Sequence, residues 1–256
     1  MAQDFEATRQ AFRALHEKGC FTLPNVWDLG GLRRVEKMGF EAIASTSAGL
    51  AWSLGKNDYE LSRDDVVAHL RTLSEGGDLP VNADFENGFA DDPAGVAANV
   101  VLAAEAGVAG LSIEDRGGDG LYETGLAAAR IKAARAALDN KAPSVILVGR
   151  SEGYLIGDKD IDRTIARLTA YAEAGADCLY APGVTDPGEI ARIVAAVTPR
   201  PVNILLMSPA MRVTDLAALG VRRVSTGGSL AWAAWEAFDE AAQHLRDEGA
   251  LPVSRR

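Results

Sequence analysis

Two acidic side chains close a short apolar segment in the first half of the chain. The segment reads Val81-Asn-Ala-Asp84-Phe-Glu86, and side chains two positions apart on a strand point to the same face. Two carboxylates on one face repel each other unless they lie in water or share a cation. An isolated Asp-x-Glu is most simply a pair of solvated loop acids. Here a second apolar segment also ends in acids, Glu114 and Asp115, which favours a shared divalent cation.

Eight short apolar segments alternate with helical patterns along the chain, and they determine where these acids lie. The alternation predicts parallel strands joined by right-handed helical crossovers. Eight such units in 256 residues predict an α/β fold, a single-domain (β/α)8 TIM barrel over 1–256 that ends in a long helix at about 228–246. The predicted strands are centred on Phe21, Ile43, Val81, Leu111, Ile146, Leu179, Ile204 and Val224.

The carboxyl ends of the predicted strands carry many of the polar side chains. In (β/α)8 enzymes these ends form the mouth where the chemistry takes place. Strand two ends at Ser45-Thr46-Ser47, and the cleanest apolar run ends at Arg150. Mg²⁺ takes a few carboxylates and leaves positions for substrate oxygens, while a guanidinium forks onto a planar carboxylate. The mouth is therefore predicted to hold a divalent cation and an oxyanion clamp. The alternative for Arg150 is a partner that only neutralises the acids.

The overall composition argues against several classes of partner. Hydrophobic residues make up 48% of the chain and charged residues 24%, as in ordinary globular proteins, and the net charge is −10. Nucleic acids and anionic membranes need a basic footprint, so neither is expected as a partner. Cys20 and Cys178 belong to no metal-binding pattern, so no zinc site or disulfide framework is predicted. The acidic N-terminal stretch lacks an apolar core, and no apolar run reaches membrane-spanning length, so a cytoplasmic location is expected.

Four motifs in register resemble the isocitrate lyase/phosphoenolpyruvate mutase superfamily. They are Ala44-Ser-Thr-Ser47 with Leu54-Gly-Lys-Asn-Asp58, Asp84-Phe-Glu-Asn-Gly-Phe89, Ser112-Ile-Glu-Asp115 and Val148-Gly-Arg150. Their order and spacing are similar to the family's over most of residues 20–240. The resemblance implies an α/β barrel that binds Mg²⁺, with Mn²⁺ as the alternative ion. It also implies a small anionic 2-oxo acid substrate or its enolate, and the making or breaking of C–C or P–C bonds.

The resemblance also assigns roles to individual residues. It implies that Asp84 ligates the metal, and that Glu86 and Glu114 hold its waters or complete its shell. Asp58 faces the site from the loop after strand two, and is grouped with Arg150 and Glu114 as catalytic. Because family members exchange their last helices between subunits, a homotetramer built as a dimer of dimers, or a homodimer, is expected. The implied substrate-binding set consists of Ser45, Thr46, Ser47, Arg150 and Asn203.

The loop after strand four departs from the family. Isocitrate and methylisocitrate lyases carry Lys-Lys-Cys-Gly-His there, with Cys as the acid or base, and the mutases carry Lys and Asn. Here the loop reads Asp115-Arg-Gly-Gly-Asp-Gly-Leu-Tyr-Glu123 and contains no Cys, His, Lys or Asn. Decarboxylation remains compatible, since it needs an electron sink more than a base. The polar candidates within the loop are Arg116, Asp119, Tyr122 and Glu123.

Three functions are therefore considered. The first is Mg²⁺-dependent cleavage of a small 2-oxo or 2-hydroxy dicarboxylate through an enolate, as in oxaloacetate decarboxylation or methylisocitrate-type cleavage. The second is phosphonate chemistry like that of the carboxyphosphonoenolpyruvate and phosphoenolpyruvate mutases, and the third is binding of 2-oxo acids without turnover.

Near the C-terminus, Thr226-Gly-Gly-Ser229 is either a phosphate cradle or a tight turn. The apolar stripe of Trp232, Trp235 and Phe238 is predicted to lie in the core or in a subunit interface.

Overall fold

The strands of the chain form one parallel sheet and one short hairpin. A computed structural model describes residues 5–118 and 120–252; the ends of the expected 1–256 domain and the loop candidate Asp119 lie outside the described residues. Within that part of the chain the strands are β1 (Phe21–Leu23), β2 (Asn25–Val26), β3 (Ile43–Ser45), β4 (Val81–Asp84), β5 (Gly110–Glu114), β6 (Arg116–Gly117), β7 (Gly120–Leu121), β8 (Ile146–Arg150), β9 (Cys178–Tyr180), β10 (Val202–Leu205) and β11 (Arg223–Ser225).

The parallel sheet closes into a barrel. Among the described residues its order is β1-β11-β10-β9-β8-β5-β4-β3-β2. β1 and β2 are separated only by Pro24, so they are two halves of one barrel strand, the first paired with β11 and the second with β3. Proline has no N–H to donate, which explains the break, and its carbonyl accepts from the Ala44 amide at 3.1 Å. The nine segments thus make eight barrel strands, and the predicted (β/α)8 fold is confirmed.

The helices begin where their capping residues predict. Ser62 and Asp65 form a reciprocal capping box, and the Asp92 side chain accepts from two amides beyond Pro93. The loop after strand two, which carries Asp58, is not irregular throughout, because it contains a short helix that Thr46 caps. The helices are α1 (Phe5–Leu15), α2 (Leu29–Lys37), α3 (Ser47–Ser53), α4 (Arg63–Gly76), α5 (Pro93–Glu105), α6 (Thr124–Lys141), α7 (Ile161–Glu173), α8 (Pro187–Val197), α9 (Val213–Ala218) and α10 (Ser229–Glu248), with a 3₁₀ turn at Gly153–Ile156.

Two apolar clusters stabilise this architecture. The larger cluster lies mainly between the sheet and the surrounding helices, and the smaller joins α1 to inward-facing strand residues. Phe12 of α1 is fully buried, and its ring meets that of Phe21 edge to face at 6.1 Å. These contacts seat α1 against the start of β1. Polar side chains nevertheless remain inside the barrel, among them Asn82, Asn203 and Arg223, all of which are buried.

The last helix stands apart from this packing. Trp232 and Phe238 of α10 are 61% and 62% exposed, and Ala231 is its buried residue. The aromatic stripe is therefore not part of the core of a single chain, which leaves a subunit interface as the remaining prediction. No helix in residues 5–118 and 120–252 combines the length and apolar character that crossing a bilayer requires.

Candidate active site

Three carboxylates surround one arginine at the mouth of the barrel. Arg150, at the end of β8, places its Nη1 atom 3.1 Å from Oδ1 of Asp84 and 3.0 Å from Oε1 of Glu114. Its Nε atom donates to the Glu152 carboxylate. Although burial lowers the pKa of Arg150, the three acids raise it well above its ordinary value. The structure thus brings together Asp84, Glu114 and Arg150 as the strand ends predicted.

The serines after β3 hold Asp84 in place. The Ser47 amide and hydroxyl both donate to Oδ2 of Asp84, at 3.0 and 2.9 Å, and the Asp84 amide donates to the Ser45 hydroxyl at 2.9 Å. The Thr46 hydroxyl accepts from the Gly49 amide at 3.2 Å and caps α3. These contacts position the acid. Binding of a substrate carboxylate by the three residues stays a prediction.

Glu86 lies beside this cluster in an unusual conformation. Its backbone is left-handed, with φ of 44°, and its side chain is buried, with Oε1 lacking any partner among the described residues. Burial, together with the negative charges of Asp84 and Asp58, raises the pKa of Glu86 to about 8. A buried carboxylate oxygen without a donor is costly. Glu86 is therefore a side chain that a cation would stabilise.

Tyr59 is a site residue that the sequence did not reveal. Its hydroxyl donates to Oε2 of Glu114 at 3.0 Å, and the Arg116 guanidinium lies over its ring, 4.8 Å from the centroid. Burial raises the pKa of Tyr59 and that of Glu114 well above their ordinary values. The neighbouring Asp58 is exposed at the rim of the same cavity. The backbone of Tyr59 is left-handed, with a φ of 66°. Nothing in the sequence predicts that conformation for a tyrosine.

Glu152 could have been found from the sequence. It follows Arg150 by two positions, the same spacing that singled out Asp84 and Glu86. The side chain is fully buried, Oε2 lacks a partner among the described residues, and the Glu152 amide donates to Asp115 at 2.8 Å. Glu152 therefore holds the Arg150 side chain in its orientation.

A cavity of about 180 Å³ opens above these residues. Asn203 lies in its wall, but its amide is already engaged, donating to the Ser225 hydroxyl and accepting from Nε of Arg223, both at 2.9 Å. The cavity is smaller than the roughly 300–1,000 Å³ of common ligand pockets, so it suits a small ligand. The other polar side chains that line it include Asn25, Thr46, Ser47, Asp58, Tyr59, Asn82, Asp84, Ser112, Glu114, Arg150, Tyr180, Arg223 and Ser225.

The glycine turn after β11 has its amides occupied. The amides of Thr226 and Gly227 both donate to Oδ1 of Asn25 at 2.9 Å. The structure therefore favours the tight turn over the phosphate cradle at this position.

The loop after β5 is held by its tyrosine. Arg116–Gly117 pairs with Gly120–Leu121 as the β6–β7 hairpin. The Tyr122 hydroxyl donates to Asp91 at 2.5 Å and accepts from the Asn87 amide at 3.2 Å, while the Arg130 guanidinium stacks on its ring at 4.1 Å. The loop thus brings Arg116 to the mouth and supplies no Cys or His.

The oxygen-rich donor set suits a hard cation that keeps its waters. Within the described chain no three His, Cys, Asp or Glu side chains are grouped closely enough to enclose a metal ion by themselves. Mg²⁺ is usually bound through one or two carboxylates plus water and substrate oxygens. The unpaired oxygen of Glu86, near the charges of Asp84 and Asp58, fits an ion held by few carboxylates and by water.

Comparison with known proteins identifies the family. The family model for phosphoenolpyruvate phosphomutase matches residues 12–246. An oxaloacetate decarboxylase of Rhodopseudomonas palustris (strain BisB5) is 34% identical over 95% of this chain and 86% of its own. A Burkholderia cenocepacia J2315 structure, provisionally assigned as a lyase/mutase, is 47% identical with a TM-score of 0.94, covering 97% of this chain and 92% of that one. An oxaloacetate acetylhydrolase bound to oxalate is 25% identical with a TM-score of 0.89, covering 98% and 90%. The chain belongs to the isocitrate lyase/phosphoenolpyruvate mutase superfamily and is an enzyme of its lyase and mutase class.

Proposed function

We propose that the protein is a Mg²⁺-dependent lyase that cleaves a small 2-oxo dicarboxylate through an enolate, with oxaloacetate decarboxylation as the first candidate. The observation that carries the proposal is the contact of Arg150 with Asp84 and Glu114 in the wall of a small cavity. The oxaloacetate decarboxylase among the relatives supports the same substrate class.

The residues divide the work of stabilising negative charge. Mg²⁺, held by Asp84 with Glu86 and Glu114 around its waters, would supply the charge that stabilises an enolate oxygen. Arg150 faces the same space, with its orientation set by Glu152 and by the Tyr180 ring, whose centroid is 5.2 Å from the guanidinium carbon. Preorganised charges of this kind need little rearrangement when the reaction occurs.

Tyr59 is a proton-bearing group in direct contact with this cluster. Its raised pKa keeps the hydroxyl protonated, and that hydroxyl both lines the cavity and donates to Glu114. We assign it the role of orienting Glu114. Loss of CO₂ leaves an enolate without prior removal of a proton, so the loop needs no Cys or His. Methylisocitrate-type cleavage must also deprotonate a hydroxyl, which makes it the weaker candidate.

The test is decarboxylation of oxaloacetate with Mg²⁺, followed by the appearance of pyruvate. Free Mg²⁺ also speeds this reaction, so the protein-free rate is subtracted. We expect EDTA and the variant Asp84→Asn each to reduce the protein-dependent rate to background. Asp64→Asn, an exposed acid on α4 with 79% side-chain exposure, serves as the matched control. Turnover that survives EDTA would contradict the role of the metal.

Phosphonate chemistry is the second candidate, because the matching family model is that of the phosphomutase. The Lys and Asn that the mutases carry in the loop after strand four are absent here. ³¹P NMR of the protein with phosphonopyruvate and Mg²⁺ would show a phosphate ester forming if this candidate is right. If neither reaction occurs while oxalate still binds with Mg²⁺ by calorimetry, the protein is a binder of 2-oxo acids that has lost turnover.

We also propose that α10 mediates a homodimer or a homotetramer. Its exposed aromatic side chains, Trp232 and Phe238, are more apolar surface than a solvated helix needs. The exchange of this helix between subunits would cover them.

A further inference from the structure

One row of inward-facing residues connects the mouth of the barrel with its interior. The register pairs Arg223 with Asn203, Asn203 with Tyr180, Tyr180 with Arg150, and Arg150 with Glu114. Register partners in a parallel sheet face the same side, and all five side chains line the cavity. The two arginines thus occupy one polar row, separated by an asparagine and a tyrosine.

The two arginines have opposite surroundings. Arg150 contacts Asp84, Glu114 and Glu152, so its charge is more than compensated. Arg223 is 2% exposed, and no carboxylate of the described residues lies within the 4.0 Å of an ion pair. A buried charge without a counterion is expensive, and proteins rarely retain one without an anionic partner.

Only neutral acceptors hold Arg223 in place. Its Nε atom donates to Asn203 at 2.9 Å and its Nη1 atom to Asn82 at 3.1 Å. Its Nη1 atom also faces Nε2 of His16 at 3.5 Å. The Nδ1 atom of His16 lies 2.8 Å from the Phe12 carbonyl, which can only accept, so His16 carries its proton there and is neutral. Nη2 of Arg223 has no hydrogen-bond partner among the described residues.

We propose that Arg223 is a specificity-determining residue that makes this site prefer ligands with two carboxylates over ligands with one. Its uncompensated charge lies in the wall of the same cavity as the cluster of acids. The cation and Arg150 serve the reacting end of the ligand, and Arg223 supplies a positive field for the distal carboxylate. This inference rests on the proposed function, because it concerns the substrate class of that site.

The test uses two ligands that differ by one carboxylate and do not decarboxylate. Calorimetry with Mg²⁺ compares malate with 2-hydroxybutyrate on the wild type, Arg223→Met and Arg223→Lys. We expect the wild type to prefer malate, and Arg223→Met to lose that preference by about tenfold, the effect of one charge at moderate range. Arg223→Lys should retain most of the preference for malate. The melting temperature of Arg223→Met should not fall, since an unpaired buried charge has been removed.

A structural role gives a different pattern. If Arg223→Met lowers the melting temperature and weakens both ligands equally, or if Arg223→Met and Arg223→Gln both fail to fold, Arg223 serves the fold and the proposal is wrong. A wild type that binds neither ligand, or binds both equally, also overturns it. Binding is measured without turnover. Oxaloacetate decarboxylation can therefore fail while the preference for two carboxylates holds, and that preference can be absent while decarboxylation occurs.

Discussion

Replacing Glu86 by Gln tests the metal site by changing the number of protons that metal binding releases. Glu86 is 5% exposed, its Oε1 atom has no partner among the described residues, and its pKa is raised to about 8. A carboxylate must be ionised to serve a cation. Mg²⁺ binding should therefore expel the proton that Glu86 carries in the metal-free protein.

The magnitude follows from that pKa. At pH 7 a group with a pKa of about 8 is roughly 0.9 protonated, so wild type should release about 0.9 more protons per Mg²⁺ bound than Glu86→Gln. At pH 9 the difference should fall to about 0.1. Because the folded pKa lies above the unfolded value of 4.5, the stabilising contribution of protonated Glu86 is full below about pH 4.5 and is lost as the pH rises to about 8. The metal-free wild type should lose at most about 5 kcal/mol over this window relative to Glu86→Gln.

Calorimetry in buffers of different ionisation enthalpy counts the protons directly. Glu75→Gln, an exposed acid on α4, is the matched control and should release as many protons as the wild type. Urea unfolding at several pH values measures the stability window. Equal proton release by wild type and Glu86→Gln between pH 6 and 8 would refute the assignment of Glu86 to the metal shell.

Three further outcomes are expected. Tyr59→Phe removes the hydrogen bond to Glu114 and should lower kcat/KM for oxaloacetate by about tenfold to a hundredfold; an unchanged value would remove Tyr59 from the site. Gly88→Ala, at a φ of 75° with Val96 only 3.2 Å from the new Cβ, should cost about 1–2 kcal/mol in urea unfolding, with ligand affinity changed little. Trp232→Ser should shift the oligomer towards smaller species in light scattering, and a wild-type monomer at high concentration would contradict the role of α10.

The barrel fold and the residues at its mouth were predictable because they depend on the period of the apolar pattern and on where residues lie along the strands. Alternating apolar segments and helical patterns allow few architectures, and the carboxyl ends of parallel strands must meet. Asp84, Glu114 and Arg150 therefore converge wherever their strands are correctly placed. Ser62 and Asp92 cap the helices that follow them through similarly local contacts, so the sequence itself marks both helix starts.

The missed features depend on tertiary contacts. Pro24 splits a strand that the apolar pattern alone shows as continuous. The helix α3 is short and contains a glycine and two serines, and Thr46 caps its start. Tyr59 reaches Glu114 through a left-handed backbone that favours other residue types. Of the adjacent arginines 222 and 223, only the strand register shows which one enters the barrel.

The charges of the site have a consequence for the order in which ligands bind. Four acids, Asp84, Glu86, Glu114 and Glu152, together with Asp58 at the rim, outnumber Arg150 and Arg116 at the mouth, so the mouth is negative unless some of the acids are protonated. The ionised acids at that mouth repel an anionic substrate, while Arg223 attracts it from the cavity wall. The proposed divalent cation would displace protons from the acids and offset their charge at the position where the substrate carboxylate must lie. If the site takes Mg²⁺ as proposed, the cation should bind before the substrate or together with it, and the field of Arg223 should act on the substrate only after the mouth has been neutralised.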